Sequence, residues 1–114
     1  MSKAISAIIV THNSSAVIRD CMASLLAQLQ PFAKIIVVDS GSDETSYLDQ
    51  YRQEKNVEVF HAENIGFSRG NNRGLEKIHE NTELVVFINP DVIVPEDFTK
   101  RVISIFEKEH NKIA

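Results

Sequence analysis

Three short runs, ISAIIV (residues 5–10), IIVV (35–38) and LVVFI (84–88), constrain this chain more than any other feature. Each is apolar at nearly every position instead of at alternate ones, and each is rich in β-branched residues. A strand without a polar face is buried on both sides, as happens inside a parallel sheet covered by helices. Parallel neighbours cannot be joined by a hairpin. They need right-handed crossovers, so helices are expected between the runs.

The intervening segments have the required spacing. Asn13, Ser14 and Ser15 are capping residue types, and after them Val17, Ile18, Cys21, Met22, Leu25, Leu26 and Leu29 recur every three or four positions up to Pro31. That pattern predicts a helix lying on the sheet by its apolar stripe. The second run breaks at DSGSDET, after which a short helix is expected over Ser46 to Glu54. Val57 to Phe60 predicts another strand, HAENIGFSRGNN a loop, and Asn72 to Glu80 a helix. Pro95 opens a last helix, with Phe98, Val102, Ile105 and Phe106 on one face and Glu96 and Asp97 where a helix N-terminus favours negative charge. The fold class is α/β: a Rossmann-like, mainly parallel sheet with flanking helices. No repeat, low-complexity tract or Gly/Ser linker divides the chain, so residues 1–114 are expected to form one domain.

Composition narrows the function classes. Twelve basic against sixteen acidic residues give a net charge of -4, and there is no basic stripe of the kind that binds nucleic acid by displacing counterions. With one cysteine, Cys21, neither an intrachain disulfide nor a cysteine zinc cluster can form, which suits a reducing cytoplasm. Cys21 falls on the apolar face of the first predicted helix and is expected in the core. The opening MSKAISAIIVTHN has no basic flank or cleavage site of a signal peptide. His61, His79 and His110 share no ligand spacing and are expected at the surface or in loops.

In open α/β sheets ligands sit beyond the carboxyl ends of the strands. Those ends are Thr11-His12-Asn13, Asp39-Ser40-Gly41-Ser42-Asp43, the Glu63 to Asn72 loop and Asn89-Pro90-Asp91. The first turn, VTHNSSA, contains no glycine, and no GxxxxGK[ST] occurs, so neither a G-x-G-x-x-G dinucleotide site nor a P-loop is present. Phosphate would then be held through a divalent cation bridging carboxylate and diphosphate. Pro90 biases Asn89 to an extended backbone and delivers Asp91 at the sheet edge with little freedom.

Four segments in order, IIVTHNSS, IIVVDSGSDET, ENIGFSRGNNRGL and LVVFINPDVIVPEDF, resemble the nucleotide-sugar-binding half of a family 2 glycosyltransferase of the GT-A fold. The resemblance covers nearly the whole chain. It is closest to a subgroup with NPD in place of the usual D-x-D that includes many rhamnosyltransferase-like proteins. It implies an inverting transfer from a UDP- or dTDP-sugar to an acceptor hydroxyl of a saccharide or lipid-linked acceptor, in polysaccharide or glycoconjugate synthesis, with Mg²⁺ or Mn²⁺ as cofactor. The other reading of the residues is a non-catalytic α/β nucleotide-binding or interaction module.

The resemblance assigns roles by position. Asp39 would accept a hydrogen bond from the imide N–H of uracil or thymine; the alternative is that it caps its turn. Thr11 lies against the base. Asn13 either contacts the nucleotide or caps the helix, and His12 is expected to be a loop residue. Asn64, Gly66, Arg69, Asn71 and Asn72 lie beside the nucleoside, Arg69 offering its guanidinium to phosphate or base, or else to solvent. Gly66 and Gly70 would let the backbone approach the ligand, and Phe67 is expected in the core. Gly41 gives turn freedom, while Ser42 or Asp43 would cap the following helix. Asp91 binds metal and diphosphate, and Asn89, which replaces the first D-x-D aspartate, can bond a sugar hydroxyl without adding charge. The general base belongs to the family's second half, expected beyond Ala114. Lys112-Ile113-Ala114 resembles the opening of the next strand, so the chain reads as a fragment with an unpaired sheet edge that admits a homodimer.

Overall fold

The computed structural model describes residues 4–78 and 81–113, with side chains described up to residue 108. Four strands, β1 (Ile5–Thr11), β2 (Lys34–Ser40), β3 (Val57–Ala62) and β4 (Leu84–Ile88), form one sheet in the order β3-β2-β1-β4. All three pairings are parallel, as the unbroken apolar runs require. β1 is buried along its whole length and β2 from Ile35 onward. The LVVFI run is less enclosed than expected, because β4 is an edge strand: Phe87 is exposed and only Ile88 is buried. The chain moves outward from β1 to β3 and then crosses back to place β4 on the other side of β1. The carboxyl end of β1 is therefore a topological switch point.

Alternate residues enter two cores. Ile5, Ala7, Ile9, Ile35 and Val37 pack with Ile18, Cys21, Met22 and Leu25 of α1 (Ile18–Leu26), with Leu48 and Tyr51 of a 3₁₀ helix over Ser46–Gln53, and with Ile103 of the last helix, α3 (Phe98–Ile113). On the other face Ile8, Ile36 and Val38 form a smaller core beneath α2 (Gly66–Glu76). Among the described residues no helix is long and apolar enough to cross a membrane.

The short helix after DSGSDET stands where expected, but it is 3₁₀, and neither Ser42 nor Asp43 caps it. Ser42 bonds Asp39 instead. Five other expectations are corrected. The first helix stops at Leu26, short of Leu29: the Gln28 side-chain amide takes the Ser24 carbonyl that its own backbone N–H would have used, and Leu29 N–H turns to the Glu96 carbonyl. Its N-terminus has no side-chain cap, and Val17 and Ile18 donate to the Ser14 carbonyl. The HAENIGFSRGNN stretch is helical from Gly66, six residues before the expected start, so Arg69, Asn71 and Asn72 lie on α2 and not in a loop. The expected end of that helix, at His79 and Glu80, lies outside the described residues. Along α3 the inward positions are Thr99 and Ile103, with Phe98 and Val102 partly buried, whereas Ile105 and Phe106 are exposed. Lys112 and Ile113 continue α3 and open no strand. His61 is exposed on β3, where its Nε2 accepts from the Arg52 guanidinium at 2.6 Å; the side chain of His110 lies outside the described set.

Gly70 and Gly74 explain the misplaced helix start. A Cβ at Gly74 would lie 2.5 Å from Cγ2 of Ile8, and one at Gly70 2.7 Å from Cγ1 of Val10. These glycines bring α2 down onto β1, not backbone onto ligand. Alanine would gain about 1 kcal/mol of helix propensity at either position, but overpacking costs about 1–3 kcal/mol, and Ile8 lies in the most enclosed strand. Gly74→Ala is expected to be net destabilising, read as a lower urea midpoint at unchanged m-value.

Cys21 is fully buried, as expected. Burial, with the negative charge of Asp91 as a second cause, pushes its thiol from 9.0 up to about 11. Between those values the unfolded chain has lost the thiol proton and the folded chain keeps it, so stability falls as pH rises through this window. Urea titrations across it should show a steeper loss for the native chain than for Cys21→Ala.

Candidate functional site

The β1–β2 register places Thr11 opposite Asp39 at the carboxyl edge of the sheet. Both side chains point to the α1 face, continuing the alternation of Ile9 and Val37. Asp39 is 1% exposed, and its buried oxygens are met by hydrogen-bond donors. Thr11 Oγ1 donates to Oδ1 at 2.8 Å, and the Ser42 hydroxyl and the Tyr47 hydroxyl donate to the same oxygen. Among the described residues Oδ2 accepts only from the Ser42 backbone N–H, at 3.0 Å. A carboxylate oxygen has two lone-pair directions, so Oδ2 keeps one open. Asp39 therefore organises its turn, as the capping alternative has it, and still has an acceptor left.

The loops after β1 and β2 are fastened to each other. Asn13, held at φ +50°, uses its side-chain oxygen to accept from Asp43 N–H at 2.8 Å and its amide to donate to the Asp43 carboxylate at 3.3 Å. Its backbone N–H donates to the Ser42 hydroxyl. It straps the two loops together and does not cap α1. His12 Nδ1 lies 2.6 Å from the Ser40 carbonyl; a carbonyl can only accept, so Nδ1 carries a proton, while Nε2 lies 3.4 Å from the Asn13 amide nitrogen. Ser14 donates its N–H to Tyr47 Oη. Gly41, at φ +64°, sits where a Cβ would meet the backbone of Asn64 at 2.7 Å, which lets the β2 turn approach the segment leading into α2. The start of α2 is held from another strand: Ser40 Oγ accepts from the N–H groups of Ile65 and Gly66 at 2.9 and 3.1 Å.

A cleft of about 330 Å³ opens at this edge, at the switch point, lined by Thr11, His12, Ser14, Asn64, Phe67 and Pro90 among others. Of the residues singled out from sequence, Thr11, Asn64 and Gly66 line it, and Asn89 and Asp91 flank its wall at Pro90. Asp39 lies behind Thr11. Arg69 is exposed on α2 and Asn71 half-buried, while Asn72, about 200° round the helix from Gly70, points away from the sheet. Phe67, expected in the core, is 52% exposed at the cleft mouth. His12 and Ser40, placed at this edge from sequence without a role, are structural members of it, whereas Ser14 and Tyr47 were missed; Tyr47 had no signal, because a 3₁₀ helix folds it back across the edge.

Asp91 differs from Asp39 in every respect. It is exposed and makes no hydrogen bond or ion pair among the described residues, and the Asn89 side chain is equally without one. Among the described residues no group of three or more His, Cys, Asp or Glu could hold a metal by itself. From β2 to β4 is two strand spacings, about 10 Å, so one elongated ligand can span from the Asp39 edge to the Asp91 turn.

Comparison with known proteins agrees with this geometry. A Bacillus subtilis (strain 168) protein named as a glycosyltransferase, EpsH, is 28% identical over 103 residues, covering 88% of this chain and 29% of that protein. The crystal structure of S. aureus TarS 1-349 superposes with a TM-score of 0.82 at 24% identity, over 94% of this chain and 33% of that one. TarS 1-349 in complex with UDP-GlcNAc gives the same TM-score at 25% identity, with 32% of that chain covered. The chain thus spans about a third of the length of the relatives it matches, and its sheet is that of the GT-A nucleotide-binding half. Residues 6–114 match the Glycosyl transferase family 2 description: the chain belongs to glycosyltransferase family 2.

Proposed function

We propose that this chain is a nucleotide-diphospho-sugar-binding domain that holds a UDP- or dTDP-sugar for inverting transfer to an acceptor hydroxyl, in cytoplasmic synthesis of a polysaccharide or glycoconjugate. The observation that carries this reading is a cleft at the carboxyl edge lined by Thr11, Asn64, Gly66 and Pro90, with the buried carboxyl of Asp39 bonded to Thr11 behind it and the exposed Asp91 next to Pro90 on its wall. The binding of UDP-GlcNAc by TarS supports a uridine donor, and the NPD turn adds rhamnosyl donors to those worth titrating.

The base enters the cleft at the Thr11 end, where Asp39 Oδ2 accepts the imide N–H, directly or after a small shift of Thr11. Asn64 and the start of α2 flank the nucleoside, with Arg69 and Asn71 further along the helix. Asn89 bonds a sugar hydroxyl. Asp91 faces the diphosphate, where a negative side chain is unfavourable unless a cation lies between them. The oxygen donors Asp91 and Asn89 fit Mg²⁺ or Mn²⁺, which commonly take one or two protein oxygens and complete their shell with phosphate and water. When bound, such an ion neutralises the charge that develops on the leaving nucleoside diphosphate. No general base is assigned among the described residues.

Calorimetric titration of UDP and CDP, with Mn²⁺ and with EDTA, tests both ends. Asp91→Asn should lower UDP affinity about tenfold or more with Mn²⁺, about 1.4 kcal/mol, and leave the metal-free affinity unchanged or slightly raised, because it removes a charge that repels the diphosphate. Asp39→Asn should weaken UDP and narrow the preference over CDP, because an amide can donate to the cytosine ring nitrogen where a carboxylate cannot. Binding indifferent to both substitutions overturns the site; metal-independent binding would favour a non-catalytic nucleotide-binding module.

A further inference from the structure

The turn that carries Asp91 makes few contacts of its own, yet both of its ends are fastened to one place: α1 and the residues just after it. Asn89 O accepts from Val92 N–H at 3.0 Å within the turn and from the thiol of Cys21 at 3.7 Å. One helical turn further on, Ser24 Oγ accepts from Val94 N–H at 3.1 Å while donating to Cys21 O at 2.8 Å. Gln28 then makes three bonds. Its amide donates to Pro95 O at 2.7 Å and to Ser24 O at 3.1 Å, and its oxygen accepts from Thr99 N–H at 2.9 Å. Leu29 N–H reaches Glu96 O, and Thr99 Oγ1 donates to Gln30 O. Only Pro90, Asp91, Val92 and Ile93 lie between the fastened ends.

Gln28 is the centre of this clamp. It is 6% exposed, every polar atom of its side chain is engaged, and Thr99 N–H is one of the first-turn donors of α3 that no helix can satisfy internally. A buried glutamine so placed fixes the distance between α1 and the start of α3, and hence the position of the four-residue span that holds Asp91. Asp91 has no hydrogen bond to aim it among the described residues, so its aim depends on these anchors.

We infer that Gln28, with Ser24 as its neighbour, is a positioning residue that sets the metal-dependent part of donor binding by clamping the Asn89–Thr99 segment to α1. This rests on Asp91 being the metal-binding carboxylate, and the test separates the two. UDP is titrated with Mn²⁺ and with EDTA into the native chain and into Gln28→Leu, Ser24→Ala and Asp91→Asn, with circular dichroism and thermal midpoints recorded for each. Gln28→Leu, near in volume but unable to bond, is expected to cut the gain in affinity from Mn²⁺ by about tenfold and to leave metal-free affinity within about twofold. Ser24→Ala should act in the same direction with a smaller loss, and decides the matter if Gln28→Leu does not fold. Equal losses with and without Mn²⁺ would mean a merely structural role and overturn the clamp. So would a native Mn²⁺ gain in the folded variants while Asp91→Asn loses it. If Asp91→Asn itself keeps the gain, the failure lies with the metal site and removes the basis of the clamp as well.

Discussion

The rung that joins Thr11 to Asp39 is the interaction on which the rest of this structure depends. β1 and β2 are buried on both faces, so their register cannot slip by one residue without driving an entire apolar set to the wrong side. That register places a hydroxyl opposite a carboxylate at the last pair of the ladder. A charge buried there is tolerated only because Ser42 and Tyr47 close round it together with Thr11. The loop after β2 therefore takes its shape from the needs of one anion, and the loop after β1 is strapped to it through Asn13.

Helix ends in this chain are satisfied largely from a distance. Neither α1 nor α2 has a side-chain cap of its own. Ser40 on β2 takes the first donors of α2, and Gln28 takes a first-turn donor of α3. Each such bond ties one strand end or helix to another. The consequence is a carboxyl edge whose loops are held as one body, suited to presenting groups to a ligand at fixed spacing.

Two carboxylates at this edge have opposite surroundings and, by the proposal above, opposite tasks. Asp39 is enclosed and nearly saturated, which suits reading one hydrogen bond on a flat ring. Asp91 is open and partnerless, which suits a hard cation that brings most of its own shell.

Much of this was legible from order and composition along the chain. The unbroken β-branched runs of β1 and β2 announce strands buried on both faces, because no alternating pattern leaves a side for water, although LVVFI carries the same pattern on a partly exposed edge strand; parallel pairing, helical crossovers and a ligand edge at the carboxyl ends then follow. The positions of Asp39 and Asp91 at that edge, and the core place of Cys21, are local consequences of the same pattern. Contacts between distant segments were not legible. Gly70 read as part of a ligand-facing loop, yet it is helical and lets α2 press on Val10, as Gly74 does on Ile8. Gln28 read as the tail of a helix, yet it ends that helix by taking over its backbone bond and clamps α3. Phe67 read as core, yet it stands at the cleft mouth. Hydrophobic period and turn chemistry act between residues close in sequence, so the chain by itself determined the strands, the class of fold and the edge that bears the site. How near two backbones come, and which side chain completes another element's hydrogen bonds, depends on distant segments, as with Gln28 and Thr99, 71 residues apart, and only the tertiary structure decided those.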